Sequence, residues 1–184
     1  SGSGDVAACT KPGGLVANQT GGNADAEAEH AVAMMPALTK RIPQTDQTLR
    51  SAERARRESF KGWNAHGRTV GVIGIGNTGR RVARICGLGL QMKVLACDPY
   101  LTAEEIQARG AAKVDLPTLL AQSRFISVHC PYSDETRNMI GARELAAMQP
   151  GSYLVTTARG GIVDEYALAE ALKSGHLAGA GVDV

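Results

Sequence analysis

The sequence has little cysteine, no long apolar run and almost no net charge. Its cysteines, Cys9, Cys86, Cys97 and Cys130, form no CxxC pair and have no zinc-ligand spacing to a histidine, so we expect reduced thiols and no metal site. No apolar stretch approaches the roughly 20 residues that a membrane span requires, and no signal peptide is visible. A net charge of +2 argues against a nucleic-acid or membrane partner. These absences favour a cytoplasmic globular protein.

The composition is that of an ordinary globular protein, and its distribution divides the chain into two parts. Hydrophobic residues make up 43% of the 184 residues and charged residues 21%, which predicts one domain or one and a fraction. Residues 11–24 are rich in Gly, Asn and Thr around a short apolar stretch, and they predict a short strand and a loop. From residue 24 to about residue 57 the chain predicts a long helical segment, with a kink or break at Pro36.

From residue 69 onward, short apolar runs alternate with segments of helical periodicity. The predicted strands are residues 69–73, 92–96, 125–129, 153–157 and 178–182. The predicted helices are residues 78–88, 102–109, 116–122, 144–148 and 164–174. Strands that are apolar on both faces and separated by helices are typical of a parallel sheet covered on both sides. The sequence therefore predicts an α/β fold, a doubly wound parallel sheet preceded by a long helical segment.

A glycine-rich turn lies between the first predicted strand and the helix after it, with the sequence Gly74-Ile75-Gly76-Asn77-Thr78-Gly79. In this context GxGxxG is the dinucleotide-binding pattern of a Rossmann fold. Gly74 permits the tight turn, Gly76 lets a pyrophosphate approach the backbone, and Gly79 lets the helix pack closely on the sheet. The helix N-terminus then offers free N–H groups and partial positive charge to the phosphates.

Asp98 follows the second predicted strand, about 20 residues after the glycine turn. At this position a carboxylate accepts hydrogen bonds from the adenosine ribose hydroxyls and repels a 2′-phosphate, which favours NAD over NADP. The alternative interpretation is an aspartate that forms the turn before Pro99, and both roles can coexist.

Three further segments resemble the D-isomer-specific 2-hydroxyacid dehydrogenases, which include phosphoglycerate dehydrogenases and hydroxypyruvate or glyoxylate reductases. The segments are VHCP at 128–131 with Thr136 shortly after, TARGGIVDE at 157–165 and AGAGVDV at 178–184. The helix that carries AEH at 28–30 is also similar to the one before the glycine turn in this family. The resemblance implies NAD-dependent hydride transfer at C2 of a small 2-hydroxy or 2-oxo acid.

The resemblance also implies roles for individual residues. Asn77 and Thr78 would contact the pyrophosphate, and Asp98 would contact the ribose. The other implied cofactor contacts are Cys130, Pro131 and Thr136 after their strand, Thr157 and Ala158 beside the nicotinamide ribose, Asp183 at the nicotinamide amide, and Thr10. Arg159 would grip the substrate carboxylate and polarise the C2 oxygen.

The choice of Arg159 also has a physical reason that is independent of the resemblance. A guanidinium is always charged and can bind a planar carboxylate through two parallel hydrogen bonds. Arg159 follows a buried predicted strand, and ligands bind at this edge of such sheets. The sequence departs from the family at four positions: Thr156 replaces an Asn, Asn77 and Thr78 replace a frequent Arg and Ile, and Pro36 replaces an aliphatic residue.

The resemblance predicts how the chain is organised. Residues 1–22 are expected to be a remnant of the strand and loop that lead from a substrate domain, and residues 23–184 the NAD-binding Rossmann domain. The family's proton-transferring Glu and His follow Asp183, so a chain that stops at Val184 is expected to be inactive alone. His129 is not expected to replace them.

Two other functions share the same motifs. One is an NAD(H)-sensing corepressor-like binding protein without turnover, and the other is a formate-dehydrogenase-like enzyme. For the dehydrogenase, the resemblance implies a homodimer and a small-molecule 2-hydroxy or 2-oxo acid substrate.

Overall fold

The computed structural model describes residues 21–51 and 57–184. The strand and loop predicted before residue 21 and the cofactor contact predicted at Thr10 lie outside these residues.

The described chain forms a six-stranded sheet in the order β3-β2-β1-β4-β5-β6, in which every neighbouring pair is parallel. The strands are β1 (Thr69–Ile73), β2 (Lys93–Cys97), β3 (Ala112–Lys113), β4 (Phe125–Val128), β5 (Ser152–Thr156) and β6 (Leu177–Val182). The chain builds outward from β1 in one direction and then from β4 in the other. The predicted doubly wound parallel sheet is therefore confirmed, and its switch point, where such sheets bind ligands, lies between β1 and β4.

Seven α-helices accompany the sheet within the described residues. They are α1 (Ala24–Thr39), α2 (Ile42–Arg50), α3 (Asn77–Arg84), α4 (Ala103–Ala108), α5 (Leu116–Gln122), α6 (Ala142–Ala147) and α7 (Glu165–Lys173). A single 3₁₀ turn spans Arg57–Phe60, and a π-helical turn continues α3 over Ile85–Gly89.

The core consists of two apolar clusters, one on each face of the sheet. Alternate residues of β1 divide between them: Val70 and Val72 pack on the side of α1 and α3, and Ile73 packs on the side of α5. Fully burying a side chain of this size stabilises the folded state by about 1.5–3 kcal/mol. Burial of these strand residues therefore favours a parallel sheet that is covered by helices on both faces.

Of the kink or break predicted at Pro36, the break is wrong, because α1 runs through this residue and ends at Thr39. A proline inside a helix costs about 3 kcal/mol. The fully buried Ala28, Ala31 and Met35 pack α1 into the core and offset that cost. The helix ends where Pro43 would bring its ring against the carbonyl group of residue 39, four positions earlier. Arg41 then takes a left-handed conformation with φ 55° before α2 begins.

Two local features were not predicted. β3 has only two residues, both exposed, so no apolar run marks it. The π turn, in which Leu90 N donates to Ile85 O at 3.2 Å, overlaps the end of the stretch predicted as regular helix. Among the helices of residues 21–51 and 57–184, none has both the length and the apolar character needed to cross a membrane.

Candidate cofactor-binding site

The glycine turn leaves the carboxyl end of β1 beside the ends of β2 and β4. Gly74 has φ 82°, and its N–H donates to Cys97 O at 2.9 Å. A Cβ at Gly74 would lie 2.7 Å from Cys130 N, and one at Gly79 would overlap the Gly74 carbonyl oxygen. The turn can therefore close only with glycine at these two positions, as the sequence predicts.

Gly76 differs from its neighbours because a Cβ there would meet no heavy atom within 4 Å. It precedes the first residue of α3, where the backbone N–H groups have no partner within the helix and carry the positive end of the helix dipole. Open space beside these donors is the cradle that a pyrophosphate needs.

The two polar residues at the start of α3 are placed differently. Asn77 is exposed at the turn, next to Gly21. The Thr78 hydroxyl instead donates to Glu27 Oε2 of α1 at 2.9 Å, so it faces the helix and not the open side of the turn. Glu27 therefore supports the turn. No sequence signal indicated it, because the contact joins residues far apart in the chain.

Asp98 lies against the glycine turn at the end of β2. Its Oδ2 accepts from Ile75 N at 3.1 Å, and its Oδ1 accepts from Tyr100 N at 3.1 Å. The carboxylate thus shapes the turn before Tyr100 while it lies beside the phosphate cradle. A carboxylate has about four lone-pair sites, so acceptor capacity remains for the hydroxyls of a ribose.

The segment after β4 covers the other side of the glycine turn. His129 N donates to Ile73 O at 2.8 Å, which brings Cys130 against Gly74. Burial raises the pKa of the Cys130 thiol to about 11, so it stays protonated near pH 7 and contributes an apolar wall. Pro131 begins an exposed loop that Thr136 closes, because the Thr136 hydroxyl donates to Pro131 O at 2.8 Å.

A second group of predicted residues follows β5 and β6. Thr157 has a buried hydroxyl oxygen without a hydrogen-bond partner. A ligand or a water can satisfy such an atom at this edge, and the buried hydroxyl oxygens of Ser123 and Ser152 at the opposite edge of the sheet are unpaired as well. Thr156, which replaces the family's Asn, accepts a bond of 3.4 Å from Ala158 N, and its carbonyl accepts from Asp183 N at 3.0 Å.

The two charged residues of this second group remain accessible. The Asp183 side chain is 64% exposed and lies 3.5 Å from His30 Nε2. Arg159 is exposed, and its Nη1 donates to Ala158 O at 2.6 Å. Within the described part of the chain no ion pair engages the Arg159 guanidinium, so it can turn to an anionic substrate.

The predicted residues therefore form two groups along one edge of the sheet. The glycine turn, Asp98 and Cys130 meet at the switch point, and Thr157, Ala158, Arg159 and Asp183 follow β5 and β6. A cavity of about 810 Å³ lies elsewhere, between α1, α3 and α4, and is not this site. In residues 21–51 and 57–184 no group of three or more His, Cys, Asp or Glu side chains could hold a metal ion.

His129 is a largely buried titratable group next to the site. Its Nε2 lies 2.7 Å from Ser127 Oγ, and burial lowers its pKa to about 4. The imidazole is therefore neutral near pH 7, which does not suit a proton donor at that pH.

Acidification from pH 7 to pH 5 is expected to destabilise the protein through His129. An unfolded histidine has a pKa near 6.5 and takes up a proton in this range, whereas folded His129 does not. The unfolded state binds more protons, so the free energy of unfolding falls by about 2 kcal/mol at pH 5. Urea unfolding at the two pH values measures this loss.

Two variants isolate the contribution of His129. His129→Asn should remove most of the change in stability between pH 7 and pH 5. His66→Asn replaces an exposed histidine and should retain it. Equal pH dependence in wild type and His129→Asn would contradict this account.

A family comparison agrees with this geometry. Residues 32–184 match the model described as D-isomer specific 2-hydroxyacid dehydrogenase, NAD binding domain. D-3-phosphoglycerate dehydrogenase of Archaeoglobus fulgidus is 44% identical over 180 residues, which cover 98% of this chain and 34% of that protein. Glyoxylate reductase of Thermococcus litoralis is 39% identical over 186 residues, which cover 98% of this chain and 56% of the reductase.

Solved structures give the same result. D-lactate dehydrogenase from Aquifex aeolicus, complexed with NAD and lactic acid, superimposes with a TM-score of 0.85 at 35% identity, covering 98% of this chain and 54% of that one. The apo-structure of D-lactate dehydrogenase from Escherichia coli gives 0.80 at 38% identity, covering 88% of this chain and 50% of that one. The chain thus spans about a third to about a half of the length of these relatives.

Proposed function

The chain belongs to the D-isomer specific 2-hydroxyacid dehydrogenase family and carries its NAD-binding domain, and from this premise we propose that it serves reversible hydride transfer at C2 of a small 2-hydroxy or 2-oxo acid. The recognition of the family and the prediction of NAD as cofactor are confirmed. Bound NAD supplies the hydride chemistry, and the protein binds and orients the reactants.

The observation that carries the proposal is the contact between Asp98 and the glycine turn. The hydrogen bond from Ile75 N to Asp98 Oδ2 places a carboxylate beside the phosphate cradle. In this arrangement Gly76 and the start of α3 bind the pyrophosphate, and Asp98 receives the ribose hydroxyls and disfavours a 2′-phosphate. Cys130, Pro131 and Thr136 line the same side of the cofactor.

The residues after β5 and β6 bind the nicotinamide end of the cofactor and the substrate. Thr157 supplies an unpaired hydroxyl beside the nicotinamide ribose, with Ala158 next to it. Asp183 accepts from the nicotinamide amide. Arg159 binds the substrate carboxylate and polarises the C2 oxygen, because its charge is accessible and its planar group matches a carboxylate. The relatives named above act on phosphoglycerate, glyoxylate and lactate, which supports a small 2-hydroxy or 2-oxo acid as substrate here.

The proposal also covers the domain organisation, the oligomeric state and the cellular location of the protein. We place the cofactor domain at residues 23–184, with residues 1–22 leading from a substrate domain, and we propose a cytoplasmic homodimer without a nucleic-acid or membrane partner. Exposed apolar side chains support self-association, since Ile42 is 54% exposed, Leu49 66% and Trp63 56%. The corepressor alternative is not supported, because the relatives named above are oxidoreductases.

NADH oxidation by the full-length protein tests the proposed reaction. We expect loss of the reduced-nicotinamide absorbance with at least one of glyoxylate, pyruvate and the 2-oxo acid that corresponds to 3-phosphoglycerate. Because Asp98 repels a 2′-phosphate, NADPH should react at least about tenfold more slowly. Acetoacetate, whose keto group is not next to the carboxylate, is the matched control and should not react. Absence of oxidation together with an NADH-dependent change in oligomer size would contradict the proposal and favour a sensor.

A further inference from the structure

Charged side chains hold the backbone of Ile75 on both sides. Its N–H donates to Asp98 Oδ2 at 3.1 Å, and its carbonyl oxygen accepts from Arg109 Nη1 at 2.6 Å. The Ile75 side chain is fully buried. One residue between Gly74 and Gly76 is thus fixed at three points.

Arg109 reaches the turn from the carboxyl end of α4, which is itself well anchored. A capping box joins Thr102 and Glu105 at the start of the helix, with Glu105 N donating to Thr102 Oγ1 at 3.2 Å and Thr102 N donating to Glu105 Oε2 at 2.7 Å. Ile106 is fully buried, and Arg109 N donates to its carbonyl oxygen at 3.0 Å. The half-buried guanidinium therefore starts from a fixed position.

Peptide geometry links this contact to the phosphate cradle. The Ile75 carbonyl and the Gly76 N–H belong to one planar trans peptide group, so they point in opposite directions. A guanidinium that holds the carbonyl on one side aims the Gly76 N–H at the other. Glycine at position 76 makes rotation of this peptide group easy, because no Cβ restricts the backbone. A charge-assisted bond to the carbonyl opposes that rotation.

We propose that Arg109 is a positioning residue for the cofactor, which acts by holding the Ile75 carbonyl so that the Gly76 N–H faces the pyrophosphate. The proposal rests on the phosphate-binding role assigned to the turn under the proposed function. In this proposal Arg109 affects binding of the phosphate groups of the cofactor, whereas Asp98 binds the adenosine ribose.

Arg109→Ala tests the proposal, with Arg84→Ala as the matched control. Both arginines line the same 810 Å³ cavity, but in the described residues only Arg109 bonds to Ile75. We expect Arg109→Ala to weaken NADH binding about tenfold, the scale of one lost charged hydrogen bond, and Arg84→Ala to change it less than about twofold. Arg109→Met keeps most of the apolar stem without a donor and should behave like Arg109→Ala, which guards against a folding defect in one variant.

Binding of adenosine distinguishes a positioning role of Arg109 from a purely structural one, because adenosine carries the ribose but no phosphate. Fluorescence titration gives the Kd of NADH, and NMR titration gives that of adenosine. Adenosine affinity should change less than about twofold in Arg109→Ala. Equal losses for adenosine and NADH, or an equal loss in Arg84→Ala, would overturn the positioning role. Unchanged NADH affinity in both Arg109 variants would overturn it too, whereas a wild type that fails to bind NADH would instead refute the proposed function.

Discussion

Gly76→Ala is expected to weaken NADH binding by at least about a hundredfold while lowering the free energy of unfolding by no more than about 2 kcal/mol. The glycine has φ −71°, and a Cβ there would meet no protein atom within 4 Å. The new methyl group therefore does not collide with another part of the protein. Under the proposed function, it would occupy the space through which the pyrophosphate approaches the turn and the start of α3.

Two other glycine substitutions serve as controls for the effect of Gly76→Ala. Gly79→Ala would force a Cβ into the Gly74 carbonyl oxygen and should cost about 3 kcal/mol of stability, the upper range for overpacking. Gly89→Ala, with its nearest neighbour at 3.9 Å, should change neither property. NADH titration and urea unfolding measure the two effects separately. Normal NADH affinity in Gly76→Ala would mean that the phosphates do not approach this residue.

The regular elements were predictable where the local sequence pattern and the tertiary packing favour the same structure. β1 and α5 match their predicted ranges at both ends. β1 is a short, mostly buried strand with three aliphatic residues, and α5 follows Asp115, whose carboxylate accepts from Thr118 N at 2.9 Å as an N-cap. In both cases the local sequence and the tertiary environment favour the same structure.

Apart from the π turn, the features that were missed depend on contacts between distant residues. The cost of Pro36 could be read from the sequence, but the burial of α1 that offsets it could not. β3 is defined by its pairing with β2 and has no apolar pattern of its own. Sequence reasoning weighs local preference, so it fails where packing overrides that preference.

In the candidate site, too, the local placement of residues was predictable and their distant contacts were not. Its residues could be placed at the carboxyl edge, because the order of strands and turns fixes which residues follow each strand. Their partners could not be predicted: the Thr78 hydroxyl turns to Glu27, and the Ile75 carbonyl turns to Arg109. These partners come from α1 and α4, whose positions relative to the turn exist only in the folded chain.

Arg159→Ala is expected to lower kcat/KM for the 2-oxo acid by about a thousandfold, or about 4 kcal/mol of transition-state stabilisation, and to change NADH affinity less than about twofold. The guanidinium is exposed at the end of β5 and donates only to the neighbouring Ala158 carbonyl among the described contacts. It is therefore available to hold the substrate carboxylate and to stabilise the charge that develops on the C2 oxygen. The cofactor contacts proposed at the glycine turn do not involve it.

Steady-state kinetics and NADH titration of the full-length protein measure the two quantities. Arg159→Lys keeps the charge but loses the two parallel donors, so its kcat/KM should lie between those of wild type and Arg159→Ala. Lys173→Ala is the surface control, because Lys173 pairs with Glu170 at 2.8 Å at the end of α7, which leads to the start of β6 and not to the carboxyl edge of the sheet, and it should retain full activity. A large loss of NADH binding in Arg159→Ala would refute the assignment, because a residue that serves only the substrate should leave cofactor affinity intact.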